Sequence, residues 1–441
     1  MASTYLQRTI SSSGNQKKST ISAWFKRANN NTDGGLFSFT EDGNNYFRIK
    51  FKGDILEIDN YYGGSQTMDL KTNRLYRDCS AWYHIVFAYD SAQGTASDRA
   101  KLYINGVQET SFSTASYPSQ DGNIRLGNSG SNIELGRSQG PQYFNGIISH
   151  VHYCDGYAYA ASDFGETDST TGEWKIKTSP SVSYGSNGFF WLKDSIATTD
   201  HSPNSNTFTV GGGTLTKTED SPSNVFATWN PLFPAGGSLN YDAGNTRLYN
   251  TGTAAYRTSV STLGASTGKF YAEFKCEGDT FFTGVIDINS TKMGINDTTF
   301  GSSSSMTAYG YGIFNSTGNV MNNASTVVSG YSAALANGDI LGIALDATNK
   351  KLYFAKNGVW QNSGVPTSGS TGTGAISLAS GDRTWVFASS VNGTNISANF
   401  GNGYFNETVV SSAGTNASGN GIFEYDVPTG FTALSTKGLN L

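Results

Sequence analysis

Lys101-Leu-Tyr-Ile-Asn-Gly-Val107 and Lys351-Leu-Tyr-Phe-Ala-Lys-Asn-Gly-Val359 are two renderings of one phrase, and they decide the fold class. In each, apolar residues alternate with others up to an Asn-Gly pair. A period of two sends one face of a strand inward. Asn and Gly both tolerate positive φ, so the pair reads as a tight hairpin turn. Working outward, similar segments recur: Thr20-Ile-Ser-Ala-Trp-Phe25, Tyr46-Phe-Arg-Ile-Lys-Phe51, Trp82-Tyr-His-Ile-Val-Phe-Ala-Tyr89, Lys269-Phe-Tyr-Ala-Glu-Phe274 and Ile340-Leu-Gly-Ile-Ala-Leu345. Gly, Asn, Asp and Ser punctuate them. Strands so spaced mark a sandwich or barrel, and signals for helix are nearly absent. The expectation is an all-β chain of two β-sandwiches in tandem.

Composition narrows the function. The 441 residues include 53 Gly, 7 Trp, 24 Tyr and 26 Phe, enough rings for sizeable cores. The charged fraction is 14% and the net charge −5, whereas a nucleic-acid binder draws its affinity from basic residues. No apolar run is long enough to span a bilayer, and the N-terminus lacks the apolar stretch of a secretory signal. Cys79, Cys154 and Cys276 form no C-x-x-C pair, so neither a disulfide framework nor a zinc site is indicated. His150 and His152 would share a strand face, but a metal site needs three or four ligands. No cofactor and no metal are expected.

Five of the nine Pro (Pro180, Pro203, Pro222, Pro231, Pro234) fall in one central stretch, and connectors accumulate Pro because central strands avoid it. The boundary is placed near Thr218 to Asn230. This gives a first domain of residues 1–220, with 161–220 partly connector, and a second of 221–441. Gly188-Phe-Phe-Trp-Leu-Lys193 is too apolar for a linker and is expected to add a strand to the first domain.

The first half resembles a laminin-G-like, concanavalin A-type lectin domain. The likeness rests on Trp82-Tyr-His-Ile-Val-Phe-Ala-Tyr-Asp90, Lys101-Leu-Tyr-Ile-Asn-Gly-Val107, Leu135-Gly-Arg137 and Phe144-Asn-Gly-Ile-Ile-Ser-His-Val-His-Tyr153, over about residues 1–160. The stretch from Phe189 to Val210, with Asp200-His-Ser-Pro-Asn-Ser-Asn206, resembles the opening of such domains but comes last here, so no family calcium site is carried over. The second half resembles a SPRY domain, also a concanavalin-like sandwich, over about residues 240–437. Its segments are Gly268-Lys-Phe-Tyr-Ala-Glu-Phe274, Tyr309-Gly-Tyr-Gly-Ile313, Gly338-Asp-Ile-Leu-Gly-Ile-Ala-Leu-Asp346, Lys351 to Val359, and Ala398-Asn-Phe-Gly-Asn-Gly-Tyr-Phe405. The whole arrangement, with Asp163-Phe-Gly-Glu166 between the modules, resembles structural proteins of marine bacteriophages.

Concanavalin-like folds also host retaining glycoside hydrolases, whose Glu-x-Asp-x-Glu strand sets three carboxylates on one face. Here the nearest stretch is Glu57-Ile-Asp59-Asn-Tyr61, with Tyr61 where the second Glu would stand. Glu57 and Asp59 read as a solvent-facing acidic pair on a strand that buries Leu56 and Ile58, and no catalytic residue is assigned. A polysaccharide-degrading hydrolase using these two carboxylates is the alternative. Sugars are held by flat aromatic faces on rigid scaffolds, and the candidates are Tyr61, Tyr62, Tyr117 and Tyr143. In the second half the long polar loops Asn289 to Ser305, Asn315 to Ser329 and Ser363 to Ala375 are the candidates for protein contact, and Trp360 and Trp385 read as core. Cys154 and Cys276 read as inert strand thiols.

Together these point to a virion structural and adhesion protein, a tail fibre, spike or capsid decoration, made in the host cytoplasm and binding a host-surface glycan or protein. A purely architectural virion subunit is the further alternative. Other virion proteins are expected partners, and nucleic acid and membrane insertion are not. Weak single-site binding favours several linked copies, so a homo-oligomer is expected, a trimer by analogy to phage fibres, with residues 180–234 near the contact.

Overall fold

The computed structural model describes residues 3–140, 142–193, 198–233, 239–250, 252, 256–278, 281–290, 309–323 and 325–441. In the first unit, residues 1–217, the strands are β1 (Tyr5–Thr9), β2 (Lys18–Arg27), β3 (Gly34–Asp42), β4 (Asn45–Lys52), β5 (Ile55–Tyr62), β6 (Ser65–Leu75), β7 (Tyr83–Asp90), β8 (Ala100–Ile104), β9 (Val107–Glu109) and β10 (Phe112–Ser116). They continue with β11 (Asn132–Leu135), β12 (Arg137–Ser138), β13 (Gln142–Tyr143), β14 (Gly146–Asp155), β15 (Gly165–Thr167), β16 (Trp174–Ile176), β17 (Phe189–Trp191) and β18 (Thr209–Gly212). The one α-helix among the described residues is a single turn, Ala96–Arg99.

Turn chemistry sets the hairpins. Asn105 and Gly106 join β8 to β9 with φ of 47° and 81°, and Gly63 and Gly64 join β5 to β6 with φ of 58° and 80°. Both are two-residue loops with two left-handed residues, whose twist matches that of the flanking strands. The larger sheet runs β10-β6-β5-β4-β3-β11-β1-β18, and the smaller runs β17-β14-β2-β7-β8-β9. Phe37, Phe39, Phe47, Ile49, Phe51, Leu56 and Ile58 from the larger sheet meet Phe25, Ile85, Phe87, Tyr153 and Trp191 from the smaller. Ring pairs such as Phe25–Phe51 at 5.3 Å and Phe39–Tyr153 at 5.1 Å each add about 1 kcal/mol beyond burial.

The stretch after residue 160 is largely built into this unit. Phe189–Trp191 pairs with β14 at the edge of the smaller sheet, while Thr209–Gly212, within the stretch read as partly connector, pairs with β1. Asp200 fixes the loop between them. Its carboxylate accepts the backbone N–H groups of Phe190, Ser202 and Asn206 at 2.7–2.9 Å and the Ser202 hydroxyl at 2.7 Å. A β-bulge breaks the regular alternation between His150 and His152, and His150 has φ of 46°. The two imidazoles are therefore not the simple same-face pair that the sequence suggests. His152 is buried, stacked on Phe190 at 4.0 Å and bonded to the Tyr184 hydroxyl.

The second unit, residues 218–441, is again built on two large sheets, with a further two-stranded hairpin. Its strands are β19 (Asn240–Asp242), β20 (Arg247–Tyr249), β21 (Arg257–Val260), β22 (Lys269–Glu277), β23 (Phe281–Asp287), β24 (Gly310–Phe314), β25 (Val320–Asn322), β26 (Ser325–Val328), β27 (Ile340–Asp346), β28 (Lys351–Lys356), β29 (Val359–Trp360), β30 (Ile376–Ser377), β31 (Trp385–Val391), β32 (Asn395–Asn399), β33 (Tyr404–Phe405), β34 (Thr408–Val409) and β35 (Thr432–Ala433). One sheet runs β19-β20-β32-β22-β27-β28-β29, and the other β21-β31-β23-β24-β25-β26. Trp229, Phe274, Trp385, Phe387 and Phe400 fill the space between them.

Two readings change in this unit. The segment Asn315 to Ser329 is not an open loop, because β25 and β26 form a hairpin within it. Trp360 is half-buried against a cluster outside the main core, whereas Trp385 is fully inside. Of the segment Asn289 to Ser305, residues 291–305 lie outside the described residues, as do Pro234 and residues 194–197.

Candidate functional site

In the central strands of the larger sheet of the first unit, alternation sends Phe47, Ile49, Phe51, Leu56, Ile58, Met68 and Leu70 inward. The residues between them make up the outer face, and cross-strand register sorts these into rows. One row reads Thr9, Asn132, Thr40, Tyr46, Tyr61 and Gln66 across six strands. The next reads Thr209, Gln7, Glu134, Ser38, Arg48, Asp59, Asp69 and Ser116 across eight. A third sets Lys50, Glu57, Lys71 and Thr114 side by side.

Three cations and three carboxylates interlock here. Arg48 Nε donates to Asp59 Oδ1 at 2.9 Å and its Nη2 to Oδ2, a bidentate pair. Lys71 Nζ donates to Asp69 Oδ2 at 2.8 Å and lies 3.9 Å from Glu57 Oε1, and Lys50 approaches the same oxygen at 3.9 Å. The Arg48 guanidinium also lies over the Tyr46 ring at 4.3 Å, and Tyr46 stacks on Tyr61 at 4.7 Å. Long side chains laid across one another exclude water. Glu57 is 5% exposed, Asp59 1% and Asp69 6%. The expectation of a solvent-facing acidic pair is thus corrected, although Leu56 and Ile58 are buried beneath as expected. Three buried oxygens on this face have no hydrogen-bond partner: Glu57 Oε2, Asp69 Oδ1 and Thr40 Oγ1.

The aromatic candidates separate. Tyr61 belongs to this face. Tyr62, next along the strand, is 42% exposed, with the Arg125 guanidinium 4.1 Å from its ring. Tyr143 sits farther along, 6.1 Å from Tyr5, with Arg137 over both rings and also 3.6 Å from Glu134. Tyr117 packs against the core, where burial raises its hydroxyl pKa. The structure adds Tyr46, Arg48, Lys50, Asp69 and Lys71. Their signal was present in the alternation of Tyr46-Phe-Arg-Ile-Lys-Phe51 and Met68-Asp-Leu-Lys71, but alternation alone does not say which of them meets Glu57.

For hydrolysis, one carboxyl must carry a proton close to the other, about 5–9.5 Å away. Each of Glu57, Asp59 and Asp69 has a cation within 4 Å. Burial lifts the carboxyl of Glu134, but it stands three strands from Asp59, about 14 Å away at the usual strand spacing. That is outside the range. Among the described residues, no group of three or more His, Cys, Asp or Glu is placed to hold a metal ion. Burial raises the thiols of Cys79 to about 11 and Cys276 to about 12, and raises that of Cys154 too.

Residues 2–162 match a laminin-G-type family model, the concanavalin A-like lectin/glucanases superfamily. No curated protein sequence matches the chain. Among solved structures, the SPRY domain of human HERC1 aligns at 13% identity and a TM-score of 0.29, over 38% of this chain and 96% of that one. A heptameric SAP-like pentraxin from Limulus polyphemus aligns at 17% and 0.28, over 36% and 71%. Domain 4 of AbnA, a GH43 extracellular arabinanase from Geobacillus stearothermophilus in complex with arabinotriose, aligns at 16% and 0.25, over 33% and 64%. The fold is a pair of β-sandwiches, the first lectin-like.

Proposed function

We propose that this chain is a non-catalytic binding protein that holds a glycan on the outer face of the larger sheet in its first unit. One observation carries the reading: the stacked pair Tyr46 and Tyr61 stands beside interlocked cations and carboxylates. Sugar rings stack on flat aromatic faces, and hydroxyls both donate and accept, so such a surface offers what a glycan needs. In this reading the chain is a virion subunit (fibre, spike or decoration) that adheres to a host surface. Its low charge, Gly-rich loops and resemblance in module order to phage structural proteins support that setting. A homo-oligomer, a trimer by analogy with fibres, suits it because linking sites multiplies avidity by roughly 10²–10⁴.

The hydrolase reading keeps one point in its favour, the glucanases within the matched superfamily. The cations beside Glu57 and Asp59 and the remoteness of Glu134 weigh against it. Glycan-array binding of the full chain, repeated with Tyr61→Ala, tests the proposal. Binding should fall about tenfold, as expected from losing roughly 1–1.5 kcal/mol of ring contact. Release of reducing ends from a bound polysaccharide, abolished by Glu57→Gln, would establish hydrolysis instead.

A further inference from the structure

The outer face of the smaller sheet in the first unit is roofed by the chain that follows it. Strand register sets Phe190, His152, Ser22, Val86 and Tyr103 in one row, with Trp24 beside His84 in the next. Residues 159–184 return over these rows, where Phe164 and Tyr184 pack with Val86, Cys154 and Phe190. Two side chains of this strap bond directly to imidazoles of the sheet. The Trp174 Nε1–H donates to His84 Nδ1 at 3.0 Å, and the Tyr184 hydroxyl lies 2.9 Å from His152 Nδ1.

Both imidazoles are sealed from solvent, His84 at 0% and His152 at 2% exposed. An indole donates and never accepts, so His84 Nδ1 holds a lone pair while Nε2–H reaches the Ser22 hydroxyl at 2.8 Å. An imidazolium carries N–H at both nitrogens and has no lone pair left for Trp174. Protonating His84 therefore breaks the contact that holds the β15–β16 hairpin down. A charge on His152 would lie within the apolar cluster beneath Tyr184, at a high desolvation cost. Burial lowers both pKa values, that of His84 to about 3, and repulsion by His150 on both and by His84 on His152 adds to it. Carboxylates on the covering segments are committed elsewhere: Asp163 to the Ala160 N–H, Asp168 to Lys175 and Asp200 to its own loop. Glu166 and Glu173 are exposed. Lys26, two residues along β2 from Trp24, and Lys193, over the Phe190 ring, bring further cations. We propose that residues 159–184 form a strap latched by neutral His84 and His152, which lets go of the smaller sheet as acid charges the two rings.

With the strap raised, each imidazole returns to water and to an ordinary pKa of about 6.5. The open form then binds protons that the closed form excludes, so opening gains as the pH falls below about 6.5. Between pH 7 and 5, linkage multiplies the open fraction by roughly 25 for each histidine, on the order of 600 for the pair. Hydrogen–deuterium exchange of the full chain at these two pH values, corrected for the intrinsic rate, tests this. Amides of residues 159–184 should lose protection about 25-fold or more, while those of β3 to β6 keep theirs. His84→Asn offers Trp174 an acceptor that takes no proton, and His152→Asn does the same toward Tyr184. Each substitution should remove about 25-fold from the pH response. The native chain carries the test even if a variant misfolds, because the slope of protection against pH counts the protons taken up on opening. A change in strap protection below about threefold overturns the proposal. So does a loss shared equally by β3 to β6, or a pH response that both variants leave intact.

Discussion

Glu273 is wholly buried on β22, and its carboxylate pins a distant part of the chain. Oε2 accepts the backbone N–H of Glu424 and Oε1 that of Tyr425, both at 2.8 Å, while the Tyr271 hydroxyl donates to Oε1 at 3.1 Å. Burial raises the carboxyl from 4.5 to about 7 despite these donors. The native chain therefore holds a proton between about pH 4.5 and 7 that the unfolded chain releases. Stability present below that window is lost as the pH rises through it, on the order of 3 kcal/mol. Urea midpoints measured at about pH 5 and about pH 8 should drop for the native sequence and stay nearly level for Glu273→Gln. Equal slopes for the two proteins would remove Glu273 from the explanation. The Asn of the opening phrases is a simpler residue-scale device. Asn105 accepts the His84 N–H at 2.7 Å and Asn357 the Ile340 N–H at 2.8 Å, each from a positive φ, so both units close the hairpin in the same way.

At the scale of elements, the β15–β16 hairpin acts as a cover on the smaller sheet of the first unit. Trp174 projects from it, and its Nε1–H donates to His84 Nδ1 at 3.0 Å. An indole only donates, so the His84 proton sits on Nε2 and reaches the Ser22 hydroxyl at 2.8 Å. Burial lowers His84 to about 3, which keeps it neutral. The ring occupies the space over Gly106 and Gly165, where a Cβ would come within 2.5 Å of it. Trp174→Ala opens a void and leaves a buried nitrogen unbonded, and should destabilise the first unit by about 3 kcal/mol in denaturant unfolding. Trp174→Phe, which keeps much of the packing but not the donor, should cost about 1–2 kcal/mol. A loss below about 0.5 kcal/mol for the alanine variant, as for an ordinary surface site, would show that the hairpin is not a packed cover.

For the molecule as a whole, the two units have separate hydrophobic interiors. Residues from Leu6 to Phe208 make up the first and residues from Ala227 to Leu434 the second. A unit with its own core is expected to fold by itself. Residues 1–217 expressed alone should give a β-type circular-dichroism spectrum and a cooperative thermal transition. A fragment that is unfolded, or that melts without cooperativity, would show that the first unit depends on the second.

How far the sequence reached follows from the range of the forces involved. Period-two alternation and Asn-Gly turns act within a few residues, so the all-β class, the hairpins at Asn105 and Asn357, and the inward Leu56 and Ile58 were readable in order along the chain. The apolarity of Phe189-Phe-Trp191 likewise required a place in a sheet. Alternation names the face a side chain takes, but not how crowded that face is. Glu57 was therefore expected in water, whereas Lys50 and Lys71, brought beside it by strand register, lie across it. The rows that join Tyr61 to Thr9 and Asp69 to Thr209 unite residues up to 202 positions apart. Only backbone pairing across the sheet decides such neighbours, because register is a property of two strands and neither one carries it alone.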